Sequence, residues 1–328
     1  MEYQSILFTL LQKKRKKGLL KLKYQEHIII VGWNGTTNKM VVETINAIQD
    51  YRQSNEKIVC ITTRTEDILS KYKDIAVLHA NKKIDFVQGE ARDEHVLELA
   101  NVHLAKTVVL LAEDNTISAD EKTLLRALEI SRYCRKKTVT QKHENKLNED
   151  FESFSVEKYI DSIYIIAEIN DDKYKKDLFN SDVNEVISTS NYANNILTQS
   201  MLNHGVSKVL DEILEFNEYN EFYQINLLEK KHHHLRNKTF DELLIALRKQ
   251  KILLIAIKVV YRDQNGKEII DYFEIDKLLK QDGLRKQVIV NPYTEIEIKR
   301  KVDTDDQLIV FAKSGKELED GIKKITFS

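Results

Sequence analysis

The run Gly32-Trp33-Asn34-Gly35-Thr36-Thr37 follows directly on the apolar stretch His27-Ile-Ile-Ile-Val31, the arrangement in which a strand turns into a helix around a phosphate. A glycine at the first place allows the tight turn, later glycines admit a pyrophosphate against main-chain N–H groups, and a carboxylate ending the next strand holds the ribose hydroxyls. Here Gly32 matches the first place, whereas Asn34 and Thr37 stand at the second and third. The next apolar run ends in Thr62-Thr63-Arg64 in place of an acid, so a sugar would meet hydroxyls and a phosphate would meet a guanidinium. That chemistry suits a mononucleotide as well as NAD, and equally a scaffold retained for its shape alone.

Other reactive groups point to little. His232-His-His234 invites a metal reading, but three adjacent histidines do not converge on one ion in a strand or a helix, which favours a solvated loop. The sequence has no P-loop, no CxxC pair and no Ser-His-Asp arrangement with supporting context, and the C-terminal part offers no convergent acid and base for a dehydrogenase. Two cysteines, Cys60 in an expected strand and Cys134 on an expected helix, imply a reducing compartment and no disulfide framework. Against 52 acidic side chains stand 51 basic ones, a net charge of -1, so nothing draws the chain as a whole to nucleic acid. The charge is local: Lys13-Lys-Arg-Lys-Lys17 follows the apolar Ile6-Leu-Phe-Thr-Leu-Leu11, the reverse of a signal peptide. It reads either as the cytoplasmic end of a membrane helix with a positive-inside anchor or as a short amphipathic helix with a solvated basic face.

The elements that must carry these residues alternate from residue 27 onward. Strands are expected at His27–Trp33, Lys57–Thr63, Ile84–Gly89, Thr107–Ala112, Ser162–Glu168 and Asn184–Ser188, and their continuous apolar character implies a sheet covered on both faces. Helical spacing marks Asn38–Asp50, Asp93–Asn101 and Asp120–Arg135, and the polar stretch Lys136–Glu157 reads as a disordered or protruding insertion. Two consecutive amphipathic helices, Ser190–His204 and one built on Val206, Val209, Leu210, Ile213 and Leu214, must bury their stripes on the next domain, on another subunit or within the chain. A smaller α+β unit follows: a strand at Phe222–Leu228, a capped helix at Thr239–Leu247 and a strand at Leu253–Tyr261 that Glu268–Phe273 could join as a hairpin. Asn291–Thr294 is expected to pair with Asp305–Phe311 before a closing helix at Ser314–Ile322. The fold class is therefore α/β, a doubly wound, Rossmann-like parallel sheet with a helix-turn-helix crossover and a smaller α+β C-terminal domain.

The N-terminal half resembles the RCK (regulator of potassium conductance, or TrkA-N) domain through His27-Ile-Ile-Ile-Val-Gly-Trp33, Phe86-Val-Gln-Gly-Glu-Ala91, Ala105-Lys-Thr-Val-Val-Leu-Leu-Ala-Glu-Asp114, Ala119-Asp-Glu-Lys-Thr-Leu-Leu125 and Ile165-Ile-Ala-Glu168. The C-terminal half resembles the companion TrkA-C domain through Asn237-Lys-Thr-Phe-Asp-Glu-Leu243 and the stretch from Asn291 to Phe311. The resemblance implies a basic linker after a pore helix at 1–26, an RCK-N domain at 27–189, crossover helices at 190–220 and an RCK-C domain at 221–328. It also implies function: a cytosolic gating module at the inner face of the membrane, partnered with a potassium-channel pore and assembled as dimers in an octameric ring. Ligand binding would then shift the ring between two states. The alternatives are a soluble nucleotide-binding subunit of a Trk/Ktr-type potassium transporter and a nucleotide-dependent oxidoreductase, and the basic linker favours the first reading.

Carried onto this chain, the cofactor-binding positions are Gly32, Trp33, Asn34, Gly35, Thr36, Thr62, Thr63, Arg64, Gly89, Glu90, Ala112 and Glu113, for NAD or an adenine nucleotide. Calcium-gated members take oxygens from the end of the fourth strand and from a Glu-x-Glu after the fifth. Those places are occupied here by Leu111 and Glu168-Ile-Asn170, which leaves Glu168 as the one metal ligand, with Asp171 and Asp172 as substitutes or as helix caps.

Overall fold

The computed structural model describes residues 2–33, 41–44, 56–112, 117–146, 163–214, 221–264, 266, 268–269 and 272–327. The chain divides into two compact units, Met1–Thr198 and Gln199–Ser328.

The first unit opens with helix α1 (Glu2–Lys16) and a segment without regular structure, then builds a six-stranded parallel sheet. Its strands are β1 (Ile28–Val31), β2 (Ile58–Thr62), β3 (Ile84–Gln88), β4 (Thr107–Leu110), β5 (Tyr164–Ile169) and β6 (Glu185–Ser188), in the order β3-β2-β1-β4-β5-β6. Successive residues of one strand enter different cores. Ile29 and Val31 pack with Val59, Ile61, Val108 and Leu110, whereas Ile30 packs with Ile58, Cys60, Ile84 and Phe86. Two buried faces explain why the apolar runs do not alternate.

Between β2 and β3 lie two short helices, α2 (Thr65–Lys71) and α3 (Lys73–Ala80), for which the sequence pattern gave no signal. Helix α4 (Glu94–Leu99) is capped by Asp93, whose carboxylate accepts from the His95 amide at 2.9 Å. Helix α5 runs from Ile117 to Lys146 and corrects the expected loop from Lys136: that stretch has no Gly or Pro to stop a helix, and its Lys, Gln and Glu are good helix formers. The rest of that stretch, the turn 34–40, Glu113 and most of the expected helix 38–50 lie outside the described residues. Helices α6 (Lys175–Phe179), α7 (Thr189–Leu202) and α8 (Val206–Leu214) complete the run up to the second sheet. Cys60 and Cys134 are both buried thiols, and burial pushes both up, Cys134 to about 12.

The second unit is a four-stranded antiparallel sheet in the order β7-β10-β8-β9, from β7 (Glu221–Asn226), β8 (Leu253–Lys258), β9 (Val288–Ile289) and β10 (Gln307–Ala312). Helix α9 (Phe240–Lys249) begins at a reciprocal capping box between Thr239 and Glu242. It packs Leu243 and Leu247 with Leu254, Leu308 and Val310. Two expectations are corrected here. Among the described residues Glu268 makes one bridge to Arg262, and Tyr272 and Phe273, expected in a hairpin strand, open helix α10 (Tyr272–Gln281), whose Leu279 packs with Leu284 and Ile289. Likewise Asn291–Thr294 does not pair with β10: Thr294 caps α11 (Glu295–Lys299), and β10 pairs with β7 and β8. The unit closes on α12 (Gly315–Lys323), capped by Ser314.

Candidate functional site

Parallel strands all point their carboxyl ends one way, and a ligand crevice opens there where the strand order reverses, which in this sheet is between β1 and β4. Gly32 leaves β1 at φ +83°, a conformation that favours glycine, so its place in the turn is fixed by backbone geometry. Trp33, next to it, is buried and stacks on Phe86 with ring centroids 6.0 Å apart. Its indole belongs to the core, and its carbonyl accepts a hydrogen bond from the Thr62 hydroxyl at 3.1 Å. The Thr62 oxygen in turn accepts from the Arg64 amide at 3.2 Å. The hydroxyl expected to meet a sugar therefore ties the ends of β1 and β2 together.

Thr63 and Arg64 lie on the other side of β2, toward β3. With Lys17, Leu19, Glu66, Asp67 and Gln88 they line a cleft of about 330 Å³. Gln88 closes its floor, donating from Nε2 to the Thr63 carbonyl and accepting at Oε1 from the Thr65 amide at 3.1 Å. The Arg64 guanidinium rests 3.4 Å from Asp67, and Lys17 lies 3.9 Å from Glu66, both as exposed pairs. Each cation of the cleft thus faces a nearby anion, which weakens its pull on a phosphate.

Gly89 follows β3 at φ +145°, and a Cβ there would lie 2.4 Å from Cγ2 of Val96 on α4. Helix packing, rather than room for a pyrophosphate, accounts for this glycine. Glu90 accepts from Nη2 of the buried Arg126 at 3.0 Å, a link from the end of β3 to α5.

Across the switch point, the structure joins two of the expected residues. The Ala112 amide, just past β4, donates to Oε2 of Glu168 on β5 at 3.1 Å. Burial raises the Glu168 carboxyl above its usual range, the Ala112 amide opposes that, and the nearby Asp120 carboxylate adds to it. Asp120, absent from the sequence expectations as a site residue, is buried on α5 and accepts from the amides of Asn170 at 2.9 Å and Asp171 at 2.8 Å. Its partners lie fifty residues downstream, so no local spacing announces it. Asp171 caps the short turn that follows, accepting from the Lys173 amide at 3.0 Å. Among the described residues no group of three or more His, Cys, Asp or Glu side chains is placed to hold a metal ion. The three histidines at 232–234 form a 3-10 turn with His232 buried, in place of a solvated loop, and their rings bond to the separate carbonyls of Asn226, Leu228 and Ile322.

For a nucleotide, the described residues supply a glycine turn at Gly32, an arginine at Arg64 and no ribose carboxylate on β2. Asn34, Gly35 and Thr36 lie outside the described residues.

Residues 23–166 match the family model described as the calcium-activated potassium channel slowpoke-like RCK domain. The calcium-gated potassium channel TvoK of Thermoplasma volcanium is 25% identical over 210 residues, covering 61% of this chain and 48% of the relative. The putative potassium channel protein YugO of Bacillus subtilis is 22% identical over 212 residues, covering 62% of this chain and 53% of the relative. The chain thus spans about half the length of both relatives. Among solved structures, the human SLO3 gating ring superposes with a TM-score of 0.51 at 15% identity, over 90% of this chain and 46% of that one, a likeness of fold.

Proposed function

We propose, on the premise that residues 23–166 form an RCK domain, that this chain is the cytosolic regulatory module of a ligand-gated potassium channel. An RCK domain is a regulatory domain and not an enzyme. One observation carries the reading beyond the fold. Helices α7 and α8 hold Tyr192, Leu197, Met201, Leu202, Val209 and Leu214 between 57% and 73% exposed. A run of large apolar side chains that a single chain leaves in water is the signature of a surface completed by another molecule. The crossover helices of a second copy would cover it, giving the dimer from which a gating ring is assembled.

The ligand we assign is an adenine nucleotide or NAD at the carboxyl ends of β1 and β2, which the Gly32 turn would admit and Arg64, on the β3 side of β2, would have to reach; a calcium ion ranks behind it, since Glu168 and Asp120 alone do not enclose one. Binding would act by favouring one of two ring states over the other.

Light scattering on the purified chain is the test of assembly. A dimer or larger species at micromolar concentration is expected, and Met201→Asp with Val209→Asp should give monomers that keep their fold. A wild-type monomer would overturn the assembly reading. A thermal-shift series with NAD, NADH, ADP, ATP, AMP and Ca²⁺ tests the ligand, since one that binds the folded state at a hundred times its dissociation constant stabilises it by about 2.7 kcal/mol. No shift with any nucleotide would overturn the nucleotide assignment.

A further inference from the structure

Asp85 is a charged residue at the second position of β3, an edge strand of the parallel sheet, and it is only 2% exposed. A carboxylate so placed needs partners on both oxygens. Both come from the segment ahead of β1. Arg15, in the last turn of α1, donates from Nε to Oδ1 at 2.6 Å, and the Tyr24 hydroxyl donates to Oδ2 at 2.6 Å. Nη2 of Arg15 also reaches the His79 carbonyl at 2.8 Å, and the His79 ring lies 3.6 Å from Asp85. Arg15 thus stands apart from the rest of the basic run, in which Lys13, Lys14, Lys16 and Lys17 remain exposed.

The backbone from Gly18 to Glu26 is tied down as well. The Gln88 amide donates to the Gly18 carbonyl at 2.8 Å, the Leu22 amide to the Leu99 carbonyl at 2.8 Å, and the Glu26 amide to the Leu104 carbonyl at 2.9 Å. Gly18 has φ +67°, and a Cβ on it would sit 2.7 Å from the Gln88 nitrogen, so this close approach depends on glycine. Leu22 is part of the main core, and the Asn101 amide group donates to the Tyr24 carbonyl at 2.7 Å.

We propose that residues 15–26 are a strap locked onto the β3 edge by the buried Asp85 carboxylate, so that α1 and the sheet move as one body from Arg15 onward. A tether reaching the sheet only at β1 would have about eleven free residues between α1 and the domain, and slack of that length absorbs motion. A strap fixed at Arg15 has none. The consequence for pulling on a pore rests on the regulatory reading above, while the strap itself does not. Removing either partner of a buried charge pair leaves the other uncompensated, so the lock is sensitive to a single substitution at Arg15 or Asp85.

Amide hydrogen exchange on the full chain tests it. The Leu22 and Gln88 amides should be protected in the wild type, and Arg15→Gln should speed their exchange at least tenfold while Ile30 and Val109, in the central strands, stay within twofold. If Arg15→Gln unfolds the unit, Tyr24→Phe decides, expected to loosen Leu22 with the central strands intact, while the paired Arg15→Met with Asp85→Leu, which leaves no charge uncompensated, should restore the fold. Leu22 and Gln88 amides that exchange as in a free peptide in the wild type, or that stay protected in every variant, overturn the proposal. A monomeric chain by light scattering would sink the gating reading and leave this measurement unaffected.

Discussion

At the scale of single residues, buried titratable groups decide how the protein responds to pH. His27, His79 and His103 are each held below the ordinary value of 6.5, burial being the largest cause in every case. A histidine kept neutral in the folded state is protonated more readily when unfolded, so its stabilising contribution is whole above pH 6.5 and is lost as the pH falls below it. The urea midpoint of the first unit should drop between pH 7.5 and pH 5, and an unchanged midpoint would contradict these placements. Glu168 has the opposite sign: its raised folded value means that the ionised form costs stability above the usual carboxylate range. Glu168→Gln keeps an acceptor for the Ala112 amide and removes that cost, so it should raise the melting temperature at pH 7. The gain should disappear near pH 3, a comparison that two melting curves supply. Gly89→Ala combines a strained φ with a Cβ set against Val96 and should lose on the order of 3 kcal/mol in denaturant titration.

At the scale of elements, caps and periodicity explain what the sequence disclosed. The box between Thr239 and Glu242 is visible in the residues Thr239-Phe-Asp-Glu242, and Thr239→Ala should destabilise the second unit by about 1 kcal/mol by equilibrium unfolding. The six parallel strands were legible because burial on both faces leaves unbroken apolar runs. Helices α2 and α3 were not, since each is under three turns and buries only two residues, too few for a period. Helix α10 was misread because Ile269, Ile270, Tyr272 and Phe273 have strand-like side chains, and only the later spacing of Ile275 and Leu279 belongs to a helix. The site was less legible than the fold. Gly32, Ala112 and Glu168 could be placed by strand ends, whereas Asp120, Asp85 and Arg126 act through partners 36 to 70 residues away, a relation that no local pattern encodes.

At the scale of the whole molecule, each unit has its own buried clusters, the larger one built on Ile29, Val59 and Val108 in the first and on Leu243, Leu308 and Val310 in the second. Two units with separate cores make a single all-or-none transition an unsuitable description. Calorimetry should give a measured enthalpy well above the van't Hoff value, and Glu168→Gln should move only the part of the transition that belongs to the first unit. Equality of the two enthalpies would show the units to melt together.

The two thiols give the molecule a built-in chemical clock. Cys60 and Cys134 both sit in the first unit, both are sealed from solvent, and the second unit has none. A thiol reagent therefore waits for the first unit to open and is blind to the second. Timing that reaction would read how often the sheet breathes, without a label, a mutation or any knowledge of the ligand. A ligand that quiets the sheet would announce itself as a slower colour change.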